Sequence, residues 1–271
     1  MFSFFLKKNF VDIWENLFHL IVVNIITVAV ICLSIFFIPF VFVAIPAEDN
    51  IRLILDFLTV ITVSVAVTTV IFAESANAKS ISYYESSSVK SFFKSIPSVF
   101  KHSAAAGIFF GLVYMAARIS LPYYAALADQ LYYRALAVFL FWFLAVTVIA
   151  LQYLFPVYAL MGNHFFKSLK KCYIIFFDNV AFSIGLTLVN ILNVAISLLT
   201  LGMAPGIAGI SYTCTNALKL RLYKYDWLEV NPGLSRKEQK DVPWTDLLKK
   251  EEEMLGPHPI KNALIPWKRS K

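Results

Sequence analysis

Long apolar runs, separated by short polar segments, alternate along this chain of 271 residues. No Asp, Glu, Lys or Arg occurs between Asn16 and Ala47, and Asp178 is the only charged residue between Cys172 and Leu218. A helix needs roughly 20 apolar residues to cross about 30 Å of hydrocarbon. The pattern therefore predicts an all-α fold, a polytopic transmembrane helical bundle with six spans at residues 17–43, 51–73, 102–121, 135–161, 173–199 and 206–222.

Proline and glycine mark interruptions within these runs. Pro39 is expected to kink or end the outer part of the first span. Two glycines and a proline in Leu201–Gly206 divide the last run into two spans. Because this linker is short and uncharged, the pattern leaves open whether these two spans cross fully or form a re-entrant hairpin. Phe-Phe-Lys-Ser at 92–95 and again at 165–168 favours the hypothesis of three repeated helical hairpins.

The composition excludes several classes of protein. Apolar residues make up 59% of the chain, and only 15% are charged, against about 25% in an average soluble domain. The mean hydropathy is +0.70. These values exclude a soluble globular enzyme, a disordered chain and a disulfide scaffold. The first apolar run is much longer than the roughly 7–15-residue core of a signal peptide, so we interpret it as an uncleaved span.

The basic residues are distributed very unequally between the two sides of the predicted bundle. With six spans, 21 of the 24 Lys and Arg residues fall on one side, and only Arg52, Arg118 and Arg134 fall on the other. The positive-inside rule then predicts that both termini are cytoplasmic. The same rule accounts for the net charge of +7 without a nucleic-acid partner.

Two segments outside the spans carry amphipathic patterns. Val89–Phe100 has apolar residues at helical spacing, which favours an interfacial helix that leads into the third span or docks a partner. The C-terminal tail, residues 223–271, contains a second such helix at Trp244–Leu255. A short helix needs a surface to pack on. The lipid interface, the end of the bundle and a soluble partner are the three alternatives.

Polar residues follow one face of the fifth span, within an arc of about 80° at 100° per residue. This polar seam comprises Asn179, Ser183, Asn190, Asn193 and Ser197. A seam facing lipid is costly, so these residues are expected to face other helices or water. Hydrogen bonding between helices and the wall of a solute pathway are the two interpretations. A wet cavity at Asn190 and Asn193 favours transport, and burial against helices favours a scaffold.

Asp178 lies beside the seam and is the candidate intramembrane acid. The alternative is an interfacial position in which it pairs with Lys170, Lys171 or a neighbouring span. No GxSxG, HExxH, P-loop or GxGxxG motif occurs. The four histidines and three cysteines show no metal or redox spacing. The sequence therefore predicts no enzyme activity, no cofactor and no metal site.

Short aromatic patterns in the chain give a family resemblance. They are Phe4-Phe5, Trp14-x-Asn16, Asn24, Phe92-Phe93-Lys94 ahead of the third span, and Phe155-Pro156 late in the fourth. Through these patterns, residues 1–222 of the chain resemble the YesL-like family of bacterial multi-pass membrane proteins. That family has no known biochemical function and is often encoded beside carbohydrate-uptake genes. The chain departs from it at Ala44-Ile45-Pro46, where the family usually has a Thr-Ile/Val-Gly turn.

The resemblance implies a location in the bacterial inner membrane, with the lipid bilayer as a partner. Two functions are carried forward. The first is a non-enzymatic accessory or scaffold protein, linked to solute uptake and acting through Val89–Phe100 and Trp244–Leu255. The alternative is a small transporter or channel whose pathway is lined by the polar face of the fifth span.

Overall fold

The computed structural model describes residues 1–37, 40–41, 48–127, 130–233, 235, 238–256 and 260, and the regular secondary structure of these residues is entirely helical. The α-helices are α1 (Phe2–Glu15), α2 (Leu17–Cys32), α3 (Asp49–Ser82), α4 (Val89–Ala126), α5 (Leu131–Leu151), α6 (Leu154–Met161), α7 (Phe165–Asp178), α8 (Val180–Leu199), α9 (Gly206–Val230) and α10 (Trp244–Leu255). A π-helical stretch, Leu33–Phe37, continues α2, and a 3-10 turn, Glu238–Lys240, precedes α10. The predicted effect of Pro39 and the predicted end of the first span at residue 43 lie outside the described residues.

Several helices have the length and composition of membrane spans. Among the described residues there are five of them: Leu17–Phe37, Ile51–Ser82, Val89–Ala126, Leu131–Met161 and Val180–Leu199. These are the features of a multi-pass helical membrane protein. The sixth predicted span, 206–222, is not among the five.

Helix α9, which contains the sixth predicted span, lies at the centre of the bundle. It packs against α1, α2, α3, α6 and α8, and every residue from Ser211 to Leu220 is buried. Because its neighbours shield it from lipid, α9 tolerates Thr, Asn and Lys and is less apolar than the five outer helices. It also continues past the predicted boundary at residue 222 to Val230.

Helices α3 and α4 form a long antiparallel hairpin. Gly107 and Gly111 of α4 lie so close to α3 that a Cβ on Gly107 would overlap the Val65 backbone. The GxxxG pattern thus serves close helix packing, as small residues commonly do in membrane bundles. Thr68 of α3 strengthens this contact by donating a hydrogen bond to the Ser103 carbonyl oxygen at 2.9 Å.

The structure corrects the predicted bounds of this hairpin. Val89–Phe100 and the predicted span at 102–121 lie on one helix, because α4 continues through Pro97 without a break, so this segment leads directly into the third predicted span. Phe92 is buried in the bundle, whereas Phe93 is exposed. Helix α3 likewise continues beyond the predicted end at residue 73 to Ser82, so Glu74 lies inside a helix rather than in a polar loop.

Two of the predicted spans are broken. Pro156 has no N–H to donate to the Gln152 carbonyl four residues earlier, and α5 ends there, one residue before the Tyr153 N-cap of α6. The predicted span at 135–161 therefore contains two helices, α5 and α6, which together form the single candidate span Leu131–Met161. The predicted span at 173–199 is also two helices, because α7 ends at Asp178, and α8 follows after Asn179.

The turn between α8 and α9 is held by one side chain of α2. The Asn24 amide donates hydrogen bonds to the carbonyl oxygens of Met203 and Pro205 at 2.9 and 2.8 Å. Its Oδ1 accepts one from the Ala208 N–H at 2.9 Å. Gly202, in the same turn, lies against Val28. The turn therefore lies beside the middle of Leu17–Phe37, roughly 13 Å short of its end at about 1.5 Å per residue.

Helix α1 buries two charges as well as apolar side chains, and it exposes large aromatic rings. Lys8 and Asp12 are buried beside Phe5, whereas Phe10 and Trp14 are exposed and their rings stack at 6.1 Å. Exposed rings of this size beside buried charges are unusual for a helix on the surface of a soluble protein. It is typical of a helix that lies in a membrane interface with its apolar face in lipid.

Helix α10 has the bounds predicted from the sequence, Trp244–Leu255. Leu248 and Glu251 are buried against the bundle, whereas Met254 is exposed. Of the three surfaces considered for this helix, the end of the bundle is the one it packs on.

Candidate functional site

Four buried charges meet where α1, α9 and α10 converge. This four-charge cluster consists of Lys8, Asp12, Lys219 and Glu251. Lys219 Nζ lies 2.6 Å from Glu251 Oε1, and Lys8 Nζ lies 3.2 Å from Asp12 Oδ2 and 3.9 Å from Glu251 Oε2. With two positive and two negative groups the cluster is formally neutral, which is the condition under which buried charges persist.

Neutral donors and aromatic rings complete the cluster. Tyr223 and Tyr84 donate hydrogen bonds to the Glu251 carboxylate at 2.6 and 2.9 Å. Asn216 donates to Asp12 at 2.7 Å, and Lys219 donates to the Ser82 carbonyl oxygen at 2.6 Å. The Lys8 ammonium also lies 3.8 Å from the centre of the Tyr84 ring. The turn between α3 and α4 is thereby tied to the same cluster.

The pKa values of the two acids in the cluster are shifted in opposite directions. Burial would raise the pKa of Glu251, but hydrogen bonds from Lys219 and Tyr223 and the nearby positive charges outweigh it and hold the pKa below its ordinary value. Burial raises the pKa of Asp12, and the opposing effects of Lys8 and Asn216 do not cancel that increase. Glu251 is therefore the acid that the cluster stabilises as a carboxylate.

A third buried acid, Glu74 of α3, lies inside the bundle. Its Oε1 is 3.4 Å from His19 Nε2, and its Oε2 accepts a hydrogen bond from Asn77 at 3.1 Å. Tyr212 of α9 lies beside this carboxylate. The second ring nitrogen of His19 has no hydrogen-bond partner among the described residues.

Most of the polar seam is engaged in contacts between helices. Asn193 donates to the Thr213 hydroxyl at 3.0 Å, and Ser183 shares a hydrogen bond with the Tyr153 hydroxyl at 2.9 Å. Ser197 accepts from the Gly206 N–H at 2.7 Å. Asn179 donates to the Tyr225 hydroxyl at 2.7 Å, at the junction of α7 and α8. These four residues tie α8 to α6, to α9 and to the junction with α7.

Asn190 differs from these four residues, because in addition to contacts of its amide N–H group with Gln152 Oε1 at 3.4 Å and Cys214 Sγ at 3.2 Å it lines a cavity. The volume of this central cavity is about 200 Å³, and it lies among α3, α5, α6, α8 and α9. Its polar lining is Ser75, Gln152, Asn190, Ser211, Cys214 and Thr215. The other lining residues are three isoleucines, a phenylalanine and a proline. The seam therefore divides into a packed part, which includes Asn193, and a cavity-lining part at Asn190.

Asp178, the candidate intramembrane acid, lies outside the five candidate spans, just before Val180–Leu199. It ends α7, its side chain is 43% exposed, and its Oδ2 lies 2.8 Å from Lys224 Nζ. Tyr225 donates a second hydrogen bond to it at 2.9 Å. Partial burial would raise its pKa, but the hydrogen bonds from Lys224 and Tyr225 lower it below the ordinary value. Its partner comes from the neighbouring helix α9 rather than from Lys170 or Lys171.

The residues best able to carry chemistry include several that sequence reasoning missed. It treated Lys8 and Lys219 as ordinary basic residues of one membrane side, and it did not single out Gln152. Pro156, four residues later, was the available signal, because it has no N–H to donate to the Gln152 carbonyl oxygen. The rings of His102 and His164 lie 6.3 Å apart, a pairing that their sequence separation concealed. No group of three or more His, Cys, Asp or Glu suited to a metal ion occurs in the described part of the chain.

These features define an all-helical protein with helices suited to crossing a membrane several times, a neutral buried ion cluster at one end and a small cavity between its helices. Comparison with protein-family models, with curated proteins and with solved structures finds no match. The resemblance to the YesL-like family therefore stays a prediction.

Proposed function

We propose that this chain is a non-enzymatic protein of the bacterial inner membrane that acts as an accessory or scaffold component, linked to solute uptake as in the family it resembles. The observation that carries the proposal is the four-charge cluster. It joins α1, the turn between α3 and α4, the end of α9 and α10 into one face. A face that is locked by its own contacts presents a fixed surface to a partner.

The proposed orientation has both termini in the cytoplasm, because 21 of 24 basic residues then lie on the inner side. The four-charge cluster supports a common side, since it brings Lys8 near one terminus together with Glu251 near the other. Five complete crossings would place the termini on opposite sides.

We therefore propose that the last two apolar helices, α8 and α9, enter and leave from the same side as a hairpin. The hairpin turn lies beside Val28, near the middle of Leu17–Phe37, rather than at the end of that span. Exposed apolar residues cover its tip, with Leu199 and Leu201 at 86% and 80% exposure. A tip of this kind is suited to hydrocarbon rather than water. Six apolar segments are then embedded, of which four cross completely and two form a re-entrant hairpin.

Labelling of single cysteines tests this topology in a background without native cysteines. An external, membrane-impermeant thiol reagent should reach Gln130→Cys and should fail to reach Lys90→Cys and Met203→Cys. Reaction at position 90 would contradict the orientation. Reaction at position 203 would contradict the re-entrant hairpin and restore six complete spans.

The scaffold role is tested by co-purification from native membranes in lipid nanodiscs. We expect a protein partner in near-stoichiometric amount with the wild type and with Glu252→Ala, which alters an exposed residue of α10. Glu251→Ala should lose that partner, because it removes the acid that holds α10 to the bundle. A chain that purifies alone, or equal recovery with both variants, would contradict the proposal.

A small transporter is the second candidate, and the central cavity favours it. The cavity gives Asn190 a surface that is not packed against another helix. Reconstitution into proteoliposomes separates the candidates: solute flux that Asn190→Leu abolishes would favour transport, and the absence of such flux would favour the scaffold.

A further inference from the structure

A surface pocket lies where α7 ends, α9 passes and α10 begins. This Arg221 pocket has a volume of about 410 Å³, and polar atoms form about half of its accessible wall. Its lining residues are Asp178, Arg221, Lys224, Leu228, Gln239, Val242 and Trp244. Two of these are positively charged and one is negatively charged, so the wall has a formal net charge of +1. A pocket of this size and charge is suited to a small anionic group.

The charge of Lys224 is already balanced within the pocket. Its Nζ lies 2.8 Å from Asp178 Oδ2, and Tyr225 donates a further hydrogen bond to the same oxygen at 2.9 Å. Asp178 is the only acid that lines the pocket among the described residues. The charge of Arg221 is therefore the one that the pocket leaves without a counter-charge.

Arg221 has no hydrogen-bond partner among the described residues. Its side chain is partly buried, its Nε atom is buried without an acceptor, and none of the ion pairs between described residues includes it. A guanidinium has five N–H donors, and leaving buried donors unpaired costs free energy. Residues 234, 236–237, 257–259 and 261–271, the parts of the tail outside the described residues, contain no Asp or Glu that could pair with it.

Two aromatic rings hold the guanidinium in place. Its Cζ atom lies 4.0 Å from the centre of the Phe182 ring and 5.6 Å from the centre of the Trp244 ring. Phe182 is a buried residue of α8, and Trp244 begins α10. Such cation–π contacts attract the guanidinium, but the rings supply no oxygen to accept its hydrogen bonds. The N–H donors of Arg221 are therefore available to another molecule.

The position of the pocket restricts the class of ligand. The planar fork of guanidinium N–H donors matches two oxygens of a phosphate or a carboxylate. Asp178 lies just before the candidate span Val180–Leu199, so the pocket lies at the end of a span. The headgroup region of a bilayer lies at this level, and basic pockets between membrane helices bind lipid headgroups there. This location favours phosphate over carboxylate.

An apolar stripe of α8 extends away from the pocket. It consists of Val180, Ile184, Leu188 and Ile191, which are 40%, 46%, 62% and 58% exposed. Helical periodicity places these residues on one side of α8, within an arc of about 80°. The stripe begins two residues after Asp178, and α8 is a candidate span. Its exposed surface therefore suits the acyl chains of a lipid whose headgroup lies in the pocket.

We propose that the Arg221 pocket binds the phosphate group of an anionic phospholipid. Two phosphate oxygens accept hydrogen bonds from Arg221, and the acyl chains lie along the apolar stripe. The negative charge of the lipid balances the net charge of the pocket. This site goes beyond the proposed function, on which it rests only for the side of the membrane, the inner leaflet.

Native mass spectrometry of the full chain in detergent tests the site by counting bound dioleoyl phosphatidylglycerol at increasing lipid concentration. Arg221→Gln should raise the Kd at least about tenfold, as expected for the loss of a hydrogen bond to a charged group. Lys250→Gln is the matched control, because it removes one positive charge from an exposed position of α10 outside the pocket. It should leave the Kd unchanged. An unchanged Kd in Arg221→Gln, or equal increases in both variants, would overturn the proposal.

Soluble phosphates distinguish a lipid from a free phosphate as the ligand. Inorganic phosphate and glycerol 1-phosphate carry the phosphate group without acyl chains, and they therefore lack the apolar contact with the stripe. Neither should displace phosphatidylglycerol when present at equal concentration. Displacement by either compound would overturn the assignment to a lipid.

A second measurement uses only the wild-type chain and does not depend on the folding of a variant. Dioleoylglycerol has the same acyl chains without the phosphate, and it should bind at least about tenfold more weakly than phosphatidylglycerol. Dioleoyl phosphatidylcholine, which is neutral overall, should also bind more weakly. Binding equal to that of phosphatidylglycerol for either lipid would overturn the proposal. These results are independent of the scaffold test, which measures a protein partner in Glu251→Ala.

Discussion

The four-charge cluster and the central cavity both contain buried polar side chains, and they differ in whether those side chains have hydrogen-bond or ion-pair partners. In the cluster, each of the four charged groups faces an opposite charge. Asp12, Lys219 and Glu251 form further hydrogen bonds, and Lys8 lies over the Tyr84 ring. In the cavity, Thr215 Oγ1 and Asn190 Oδ1 have no partner among the described residues.

The difference indicates different roles. Complete satisfaction stabilises one arrangement, because moving any member leaves a buried charge unpaired. Unsatisfied polar atoms beside a cavity contribute less to one fixed arrangement. We therefore expect the cluster to stabilise the fold more than the residues around the cavity do.

Glu251→Ala should have the largest effect on stability. It leaves Lys219 buried without its acid, whereas Lys8 keeps Asp12. Breaking a buried pair in this way costs about 3–5 kcal/mol. The free energy of unfolding in detergent, from denaturant titration, measures the loss. A change within the error of Glu252→Ala, at an exposed position, would show that the cluster does not stabilise the fold.

Acidification should reproduce part of that loss, up to the same 3–5 kcal/mol. Because the pKa of Glu251 is lowered in the folded protein, its contribution is present above its ordinary value of 4.5 and is lost as the pH falls below it. The raised pKa of Asp12 acts in the opposite direction. The protection factors of the α10 amides, corrected for the intrinsic exchange rate at each pH, should therefore fall below about pH 4.5 in the wild type. Glu251→Gln should show no such dependence, and an equal response in both would contradict the assignment.

Gly206→Ala should disturb the turn that lies beside the cavity. Gly206 has a φ of +59°, and a Cβ there would overlap the Asn24 amide. Overpacking of this kind costs about 1–3 kcal/mol. Gly233 has open space around its Cβ position, so Gly233→Ala is the matched control. Equal unfolding free energies for the two variants would mean that Asn24 does not hold the turn.

Asn193→Leu should cost less, about 0.6–1.7 kcal/mol, because hydrogen bonds between membrane helices are individually modest. Asn190→Leu should cost less still, because its amide oxygen is unpartnered and the added methyl groups can enter the cavity. The two variants are compared in the same unfolding assay. A larger cost at position 190 would place the structural part of the seam at the cavity instead.

Thr215→Val should have the smallest effect on stability. Replacing an unsatisfied buried hydroxyl by a methyl group of the same shape is close to neutral, or stabilising by up to about 1 kcal/mol. The thermal midpoint of unfolding of the variant, compared with that of the parent protein, measures this effect. A clear loss of stability would show that Thr215 Oγ1 has a partner in the protein.

The helical class could be read from the sequence because apolar run length reflects the thickness of the membrane. The bounds of α10 could be predicted too, since Pro243 precedes it and Gly256 follows it. The breaks in the fourth and fifth predicted spans are harder to read, because an interrupted helix keeps its apolar composition. The depth of the turn between α8 and α9 depends on Asn24, about 180 positions away in the chain.

The candidate site was predictable only in part. The periodicity of α8 places Asn190 and Asn193 on one face, but it cannot show that one of them meets Thr213 and the other a cavity. That distinction depends on the local path of α5 and α6. The buried pairing of Lys8 with Glu251 joins opposite ends of the chain, and a local pattern does not contain it.

Thiol accessibility within the seam tests the division most directly. Asn190→Cys and Asn193→Cys are compared, each as the single cysteine of the full chain in lipid nanodiscs, with N-ethylmaleimide as the reagent. Position 190 should react readily, because it lines the cavity, and position 193 should resist, because it is buried against Thr213. Equal rates, or a faster reaction at position 193, would contradict the division of the seam into a packed part and a cavity-lining part.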